Sequence, residues 1–303
     1  MAILSAFNAS DEVEIIGLTS LFGNVPTTMA TRNALHLVQL AGHPEVPVIE
    51  GAHTSICGVA KERIADFVHG SDGFGNTEQP PFDGNLTPAP GSAAEFIVRM
   101  ANSYPGQVTV LALASLTNVA LALQLDPQLS SKLHRLVALG GAFHTSGNVN
   151  PAAEANIYGD PDAANAVFSR MSNCWLLGLD VTHSCIMSAT EIDGVQGKGK
   201  HGTFLHAITQ FYLKYHRKMY GMDAVFVHDA AALAAVIKPE LFDWHEGKVV
   251  VVSEGPAKGK TILDECKREW VGSNAWSDLP KIKVALGVRG DALVEWVLER
   301  MGR

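Results

Sequence analysis

Residues 108–123 read VTVLALASLTNVALAL, and the fold hangs on them. The run 108–114 is continuously apolar, which predicts a strand buried on both faces. Near residues 116–123 the pattern changes to a helix with little polar surface. A strand feeding directly into a helix is half of a βαβ unit, and the same alternation recurs on both sides. Upstream, 13–21 (VEIIGLTSL) predicts a buried strand and 27–41 a helix with Leu35, Leu37, Val38 and Leu40 on its apolar face. Residues 46–50 predict a short strand, 70–91 a long Gly-, Asp- and Pro-rich loop, and 93–102 a helix. Downstream, 136–139, 174–179 and 282–288 predict strands, with 248–252 strand-like. Residues 161–171, 202–219, 229–237 and 291–301 predict helices. The expectation is an α/β chain: one domain over residues 1–303, doubly wound, with a mostly parallel sheet and helices on both faces. Ligands in such sheets sit beyond the carboxyl ends of the strands.

Twenty-three Lys and Arg against 31 Asp and Glu leave a net charge of −8, which disfavours a nucleic-acid binder. With 47% hydrophobic residues, the chain excludes disorder. Four cysteines without a CxxC pair predict free, buried thiols in a reducing compartment. No stretch approaches the roughly 18 apolar residues of a membrane span. The first residues lack the basic start and apolar run of a signal peptide, so a cytoplasmic protein is expected.

The chemistry-bearing residues follow predicted strands. After the first comes LFGN (21–24), where a turn can aim the Asn24 amide into the crevice or serve simply as a turn. In 113–123, Thr117 and Asn118 stand where strand becomes helix; helix capping and a backbone carbonyl offered to a hard cation both stand as readings. The segment 140–164, GGAFHTSGNVNPAAEANIYGDPDAA, groups Asn148, Glu154 and Asn156 with little apolar filling. Amides and a carboxylate in that pattern suit a polyhydroxylated ligand, since each hydroxyl needs a donor and an acceptor. In FVHDAAALAAV (226–236), Asp229 reads as a helix cap or a carboxylate ligand, and His228 as incidental or as a proton donor. FVHGSDGFGN (67–76) places His69 and Asp72 in a glycine-rich loop, the composition of mobile lids and of ordinary loops alike. GVQGKGKH (194–201) lacks the Ser or Thr of a phosphate loop, and there is no GxGxxG, GxSxG or HExxH. A Rossmann-type dinucleotide binder therefore ranks low. His201, His206 and His216 lie on a predicted helix without a common metal face and are expected to be solvated.

Taken together, LFGNVPTTMATRNAL, HGSDGFGN, LTNVALAL, GNVNPAAEANIYGDPDAA, LDVTH (179–183) and HDAAALA resemble the inosine–uridine-preferring nucleoside hydrolase family, in order over essentially the whole chain. The resemblance is greatest to plant-like uridine nucleosidases. It implies hydrolysis of the N-glycosidic bond of ribonucleosides such as uridine, inosine or xanthosine, with one Ca²⁺ at the bottom of the pocket. It further implies that Asp229 ligates the ion by its carboxylate and Thr117 by its backbone carbonyl. Asn24, Asn148, Glu154 and Asn156 match residues that hydrogen-bond the ribose hydroxyls. His228 matches the leaving-group acid and His69 the loop histidine near the base. Tyr215 and Tyr220 fall near a second mobile loop that covers the base. A homodimer or homotetramer is implied, with no nucleic-acid or membrane partner.

One departure stands out. The family's acidic cluster, DTDPGIDD on the first strand and its turn, has no counterpart, and MAILSAF reads as the middle of a helix with no cap before it. Asp11 and Glu12 precede the next predicted strand at its wrong end. The expectation is an N-terminally truncated copy of the domain, lacking the first strand, in which calcium binding is impaired and turnover weak or absent. The alternative is a catalytically inactive paralogue or isoform that binds ribose or pairs with an active subunit.

Overall fold

A computed structural model describes residues 1–303 apart from 62, 63, 81 and 83. The strands in chain order are β1 (Leu18–Thr19), β2 (Val48–Ile49), β3 (Thr109–Ala112), β4 (Arg135–Leu139), β5 (Cys174–Leu177), β6 (Ile186–Ser188), β7 (Ala224–Phe226), β8 (Phe242–Val251), β9 (Thr261–Asp264) and β10 (Ile282–Val288). The central sheet has the order β3-β4-β5-β10-β8-β9. Its β3, β4, β5 and β10 run parallel, while β8 and β9 add antiparallel strands beyond β10. β1 and β2 form a separate parallel pair, and β6 and β7 an antiparallel one.

Side-chain alternation across the pleat builds two cores. Val137, Leu177 and Ala285 face a core shared with helices Ala2–Phe7, Thr27–Ala41, Gly202–Tyr220, His228–Ile237 and Gly290–Met301. Leu136, Ala138, Leu176 and Val284 face the other, shared with helices Ala93–Ser103, Thr117–Leu125 and Pro161–Phe168. The sheet is thus covered on both faces, as the continuous apolar strands predict. The stretch 13–21 is mostly not a strand: only Leu18–Thr19 pairs, because its partner β2 is itself two residues long. β3 is an edge, and all four of its residues are only half buried.

The cysteine and histidine expectations need correction. Cys174 and Cys185 are buried free thiols, but Cys57 is exposed and Cys266 half-exposed. His201 and His216 are buried rather than solvated: His201 packs at the start of helix Gly202–Tyr220, and His216 lies among aromatic rings. No helix among the described residues is long and apolar enough to cross a membrane.

Candidate functional site

The carboxyl ends of β1 to β5 are tied together by amide and carboxylate side chains. The Asn118 amide donates to Ser20 O at 2.9 Å and accepts from Ala52 N at 3.0 Å, joining the ends of β1 and β2 to the turn after β3. Asn156 Nδ2 donates to Leu113 O (3.2 Å) and Leu139 O (3.0 Å), tying β3 to β4, and its backbone carbonyl accepts from Ser115 Oγ at 2.8 Å. Asp180, past β5, accepts from the N–H groups of Phe143 and His144 at 2.9 and 2.7 Å.

Glu154 caps the short helix Ala155–Gly159. Its buried carboxylate accepts from the N–H groups of Asn156 (2.8 Å), Ile157 (3.0 Å) and Gly141 (3.1 Å). Burial pushes its carboxyl up, and those three donors oppose the shift. Lys61 stands beside it: its Nζ donates to Gly23 O at 2.9 Å, and its charge acts on both Glu154 and His69. Asn24 follows Gly23 with its side chain exposed, and its carbonyl accepts from Ala65 N at 2.9 Å. Asn148 is also exposed, its Oδ1 accepting from Ala155 N at 2.9 Å.

A second group of side chains is a chain of rings in mutual contact. His69 ends the short helix Asp66–His69 and stacks on Tyr212 (5.4 Å between centroids). Tyr212 packs edge-on against His216 (4.3 Å), which packs against Phe226 (5.2 Å). Phe226 in turn touches His183 (4.6 Å) and His228 (5.6 Å). Tyr215 reaches Phe67 (5.9 Å), and Tyr220 lies edge-on to Phe226 (5.5 Å). Burial, helped by the neighbouring His216 and Lys61, holds His69 down to about 4. Burial does the same to His228, to about 3, with His183, His216 and His69 adding repulsion. Both rings are neutral near pH 7. His69, His228, Tyr215 and Tyr220 therefore share one ring system, while Asn24, Asn148, Glu154 and Asn156 share the amide side.

Neither Asp229 nor Thr117 caps its helix. His228–Ile237 starts with no side-chain cap, so Asp229 is free of that duty. Asp229 is exposed to solvent, with protein packed around its carboxylate. That enclosure pushes its carboxyl up to about 6, with the amino group of Met1 opposing. The Thr117 hydroxyl is committed to Asp160 Oδ2 at 2.7 Å, in a buried knot that also holds Ile56 N. Among the described residues, no group of three or more His, Cys, Asp or Glu side chains is placed to hold a metal ion.

Sequence reasoning missed Asn118's bridging role, Asp160, Asp180, Lys61, Thr182, His183 and Tyr212. The Asp–Pro step at 160–161 and the Asp180 side of LDVTH carried a usable signal, because aspartate at a helix start commonly accepts backbone N–H groups.

The fold is α/β, with the chemistry-bearing side chains gathered past the ends of parallel strands, amides and a carboxylate in one group and imidazoles and tyrosines in another. Residues 1–295 match the family model described as inosine-uridine preferring nucleoside hydrolase, and the chain belongs to that family. It is 46% identical to probable uridine nucleosidase 2 of Arabidopsis thaliana, over 99% of this chain and 93% of that protein. With uridine nucleosidase 1 of the same plant the identity is 43%, over 99% and 89%. Among solved structures, a plant nucleoside hydrolase superposes with a TM-score of 0.95 at 38% identity, covering 99% of this chain and 95% of that one. A purine-preferring ribonucleoside hydrolase from Gardnerella vaginalis gives 0.90 at 31%, over 99% and 93%.

Proposed function

We propose that this chain hydrolyses the N-glycosidic bond of ribonucleosides to ribose and free base, with uridine preferred and inosine and xanthosine as further substrates. The observation that carries this is Lys61, whose charge acts both on Glu154, beside Asn156 past β4, and on His69 of the ring system that runs through Tyr212 to His228. Relatives named for uridine hydrolysis support the base preference. Cleavage builds positive charge on the ribose ring and negative charge on the departing base. The oxygens of Glu154, Asn148 and Asn156 favour the first by meeting the sugar hydroxyls. An N–H of His228 favours the second and the tyrosine faces hold the base, while a water adds its oxygen to the anomeric carbon as the glycosidic bond breaks and the departing base takes up the proton. Base release from a panel of uridine, cytidine, inosine and xanthosine tests the assignment; uridine is expected to give the highest kcat/KM.

Ca²⁺ is the ion the resemblance implies, and the Asp229 carboxylate with the Thr117 carbonyl are what this chain offers it. Such an ion takes six to eight oxygens, and no cluster of three or more ligating side chains is present among the described residues. The residues do not fit the ion. That same shortage favours a second reading, a chain that binds ribonucleosides without turning them over. The free cysteines support a reducing, cytoplasmic setting. Residues 1–303 are taken as one domain, and light scattering tests for a homodimer or homotetramer.

A further inference from the structure

Thr182 and His228 come from different elements, the short helix Leu179–Thr182 after β5 and the turn after β7, and they meet at 2.7 Å between Oγ1 and Nδ1. Thr182 is fully buried. A helical threonine ordinarily returns its hydroxyl proton to the carbonyl four residues back. Thr31 does so to Thr27 O at 2.8 Å and Thr209 to Leu205 O at 2.6 Å. For Thr182, His228 Nδ1 is the hydrogen-bond partner found among the described residues. Were Nδ1 to carry the proton and donate, the buried hydroxyl hydrogen would have no acceptor, which folded proteins avoid. If the hydroxyl donates instead, both groups are satisfied and the imidazole keeps its proton on Nε2.

We propose that Thr182 is a positioning residue that donates its hydroxyl proton to His228 Nδ1 and fixes the ring in the Nε2–H tautomer, leaving Nε2–H as the donor offered to a departing nucleobase. Asp180, two residues earlier, clamps the same short helix to Phe143 and His144, so the hydroxyl is held by a rigid neighbour. His183 is not the orienting group: it meets His228 ring to ring at 5.8 Å, and its own Nε2 is buried without a hydrogen-bond partner among the described residues. The inference rests on the reading of His228 as the residue that serves the leaving base, and it names what aims that residue.

The test is long-range ¹H–¹⁵N correlation of the ring nitrogens in ¹⁵N-labelled protein at pH 7, with His228 assigned by loss of its signals in His228→Asn. The native protein is expected to show a pyridine-type Nδ1 and a pyrrole-type Nε2. Thr182→Ser should keep that pattern, and Thr182→Val should shift His228 toward a tautomer mixture while the other histidine signals stay in place. A pyrrole-type Nδ1 in the native protein would overturn the proposal, as would an unchanged His228 in a folded Thr182→Val. Failure of the underlying reading shows elsewhere, in uridine turnover by His228→Ala, so the two failures are separable.

Discussion

The Asn118 side chain donates to the carbonyl of Ser20 at 2.9 Å, across 98 residues of sequence, and this one contact ties the end of β1 to the helix that follows β3. Its other end accepts from Ala52 N, so a single amide fixes the ends of β1 and β2 against the start of helix Thr117–Leu125. Gly51 leaves room for it: a Cβ there would stand 2.2 Å from Ser20 O and 2.5 Å from Asn118 Nδ2.

Asn118→Ala removes both bonds and leaves two backbone groups without that partner. Unfolding free energy is expected to fall by about 2 kcal/mol, read from the urea midpoint at unchanged slope. Gly51→Ala, which forces backbone apart, should cost at least as much.

Glu154→Gln keeps the shape of the side chain but turns one acceptor into a donor facing backbone N–H groups. With three such groups converging on the carboxylate, a loss of about 1–3 kcal/mol is expected in the same melt. A neutral effect would mean that the cap is dispensable.

Acid should act through the buried imidazoles. His69 sits near 4 in the folded protein against an ordinary value of 6.5, so on acidification the unfolded chain takes up its proton first. Its contribution is complete above about pH 6.5 and is lost as pH falls toward 4. Discounted for partial exposure of the ring, it amounts to on the order of 1–2 kcal/mol. Thermal melts between pH 7 and 4 check this: His69→Gln should show a shallower decline than the native protein.

The poor fit of Asp229 and Thr117 to a divalent cation has its own consequence. Adding Ca²⁺ or a chelator is expected to leave the melting temperature where it was, since a ligand that does not bind the native state cannot stabilise it. A rise in melting temperature with Ca²⁺ would show a ligand set that these side chains do not supply.

The sequence made the layers legible because β4 and β5 are largely buried on both faces and β10 buries Ile282, Val284 and Ala285. It misjudged 13–21 because apolar content does not decide pairing: Ile15 and Ile16 lie half buried outside any ladder. Apolar runs mark only 248–252 of β8, since FDWHE at its start alternates polar and apolar residues on an antiparallel strand. In the site, the residues past strand ends were visible as a polar cluster, but their division of labour was not. Asn156 and Glu154 spend much of their hydrogen-bonding capacity on backbone, and no local pattern announces that. His216 looked solvated beside Arg217 and Lys218, yet it points into rings contributed by residues up to 10 positions away.

The most direct test of the account is release of uracil and ribose from uridine by the purified chain and by His228→Ala. The account predicts the two products in equal amounts, with the rate lowered by about 10²–10⁴-fold in the variant, as expected when a group serving the leaving base is removed. No release by the native chain, or equal rates from both proteins, would contradict it.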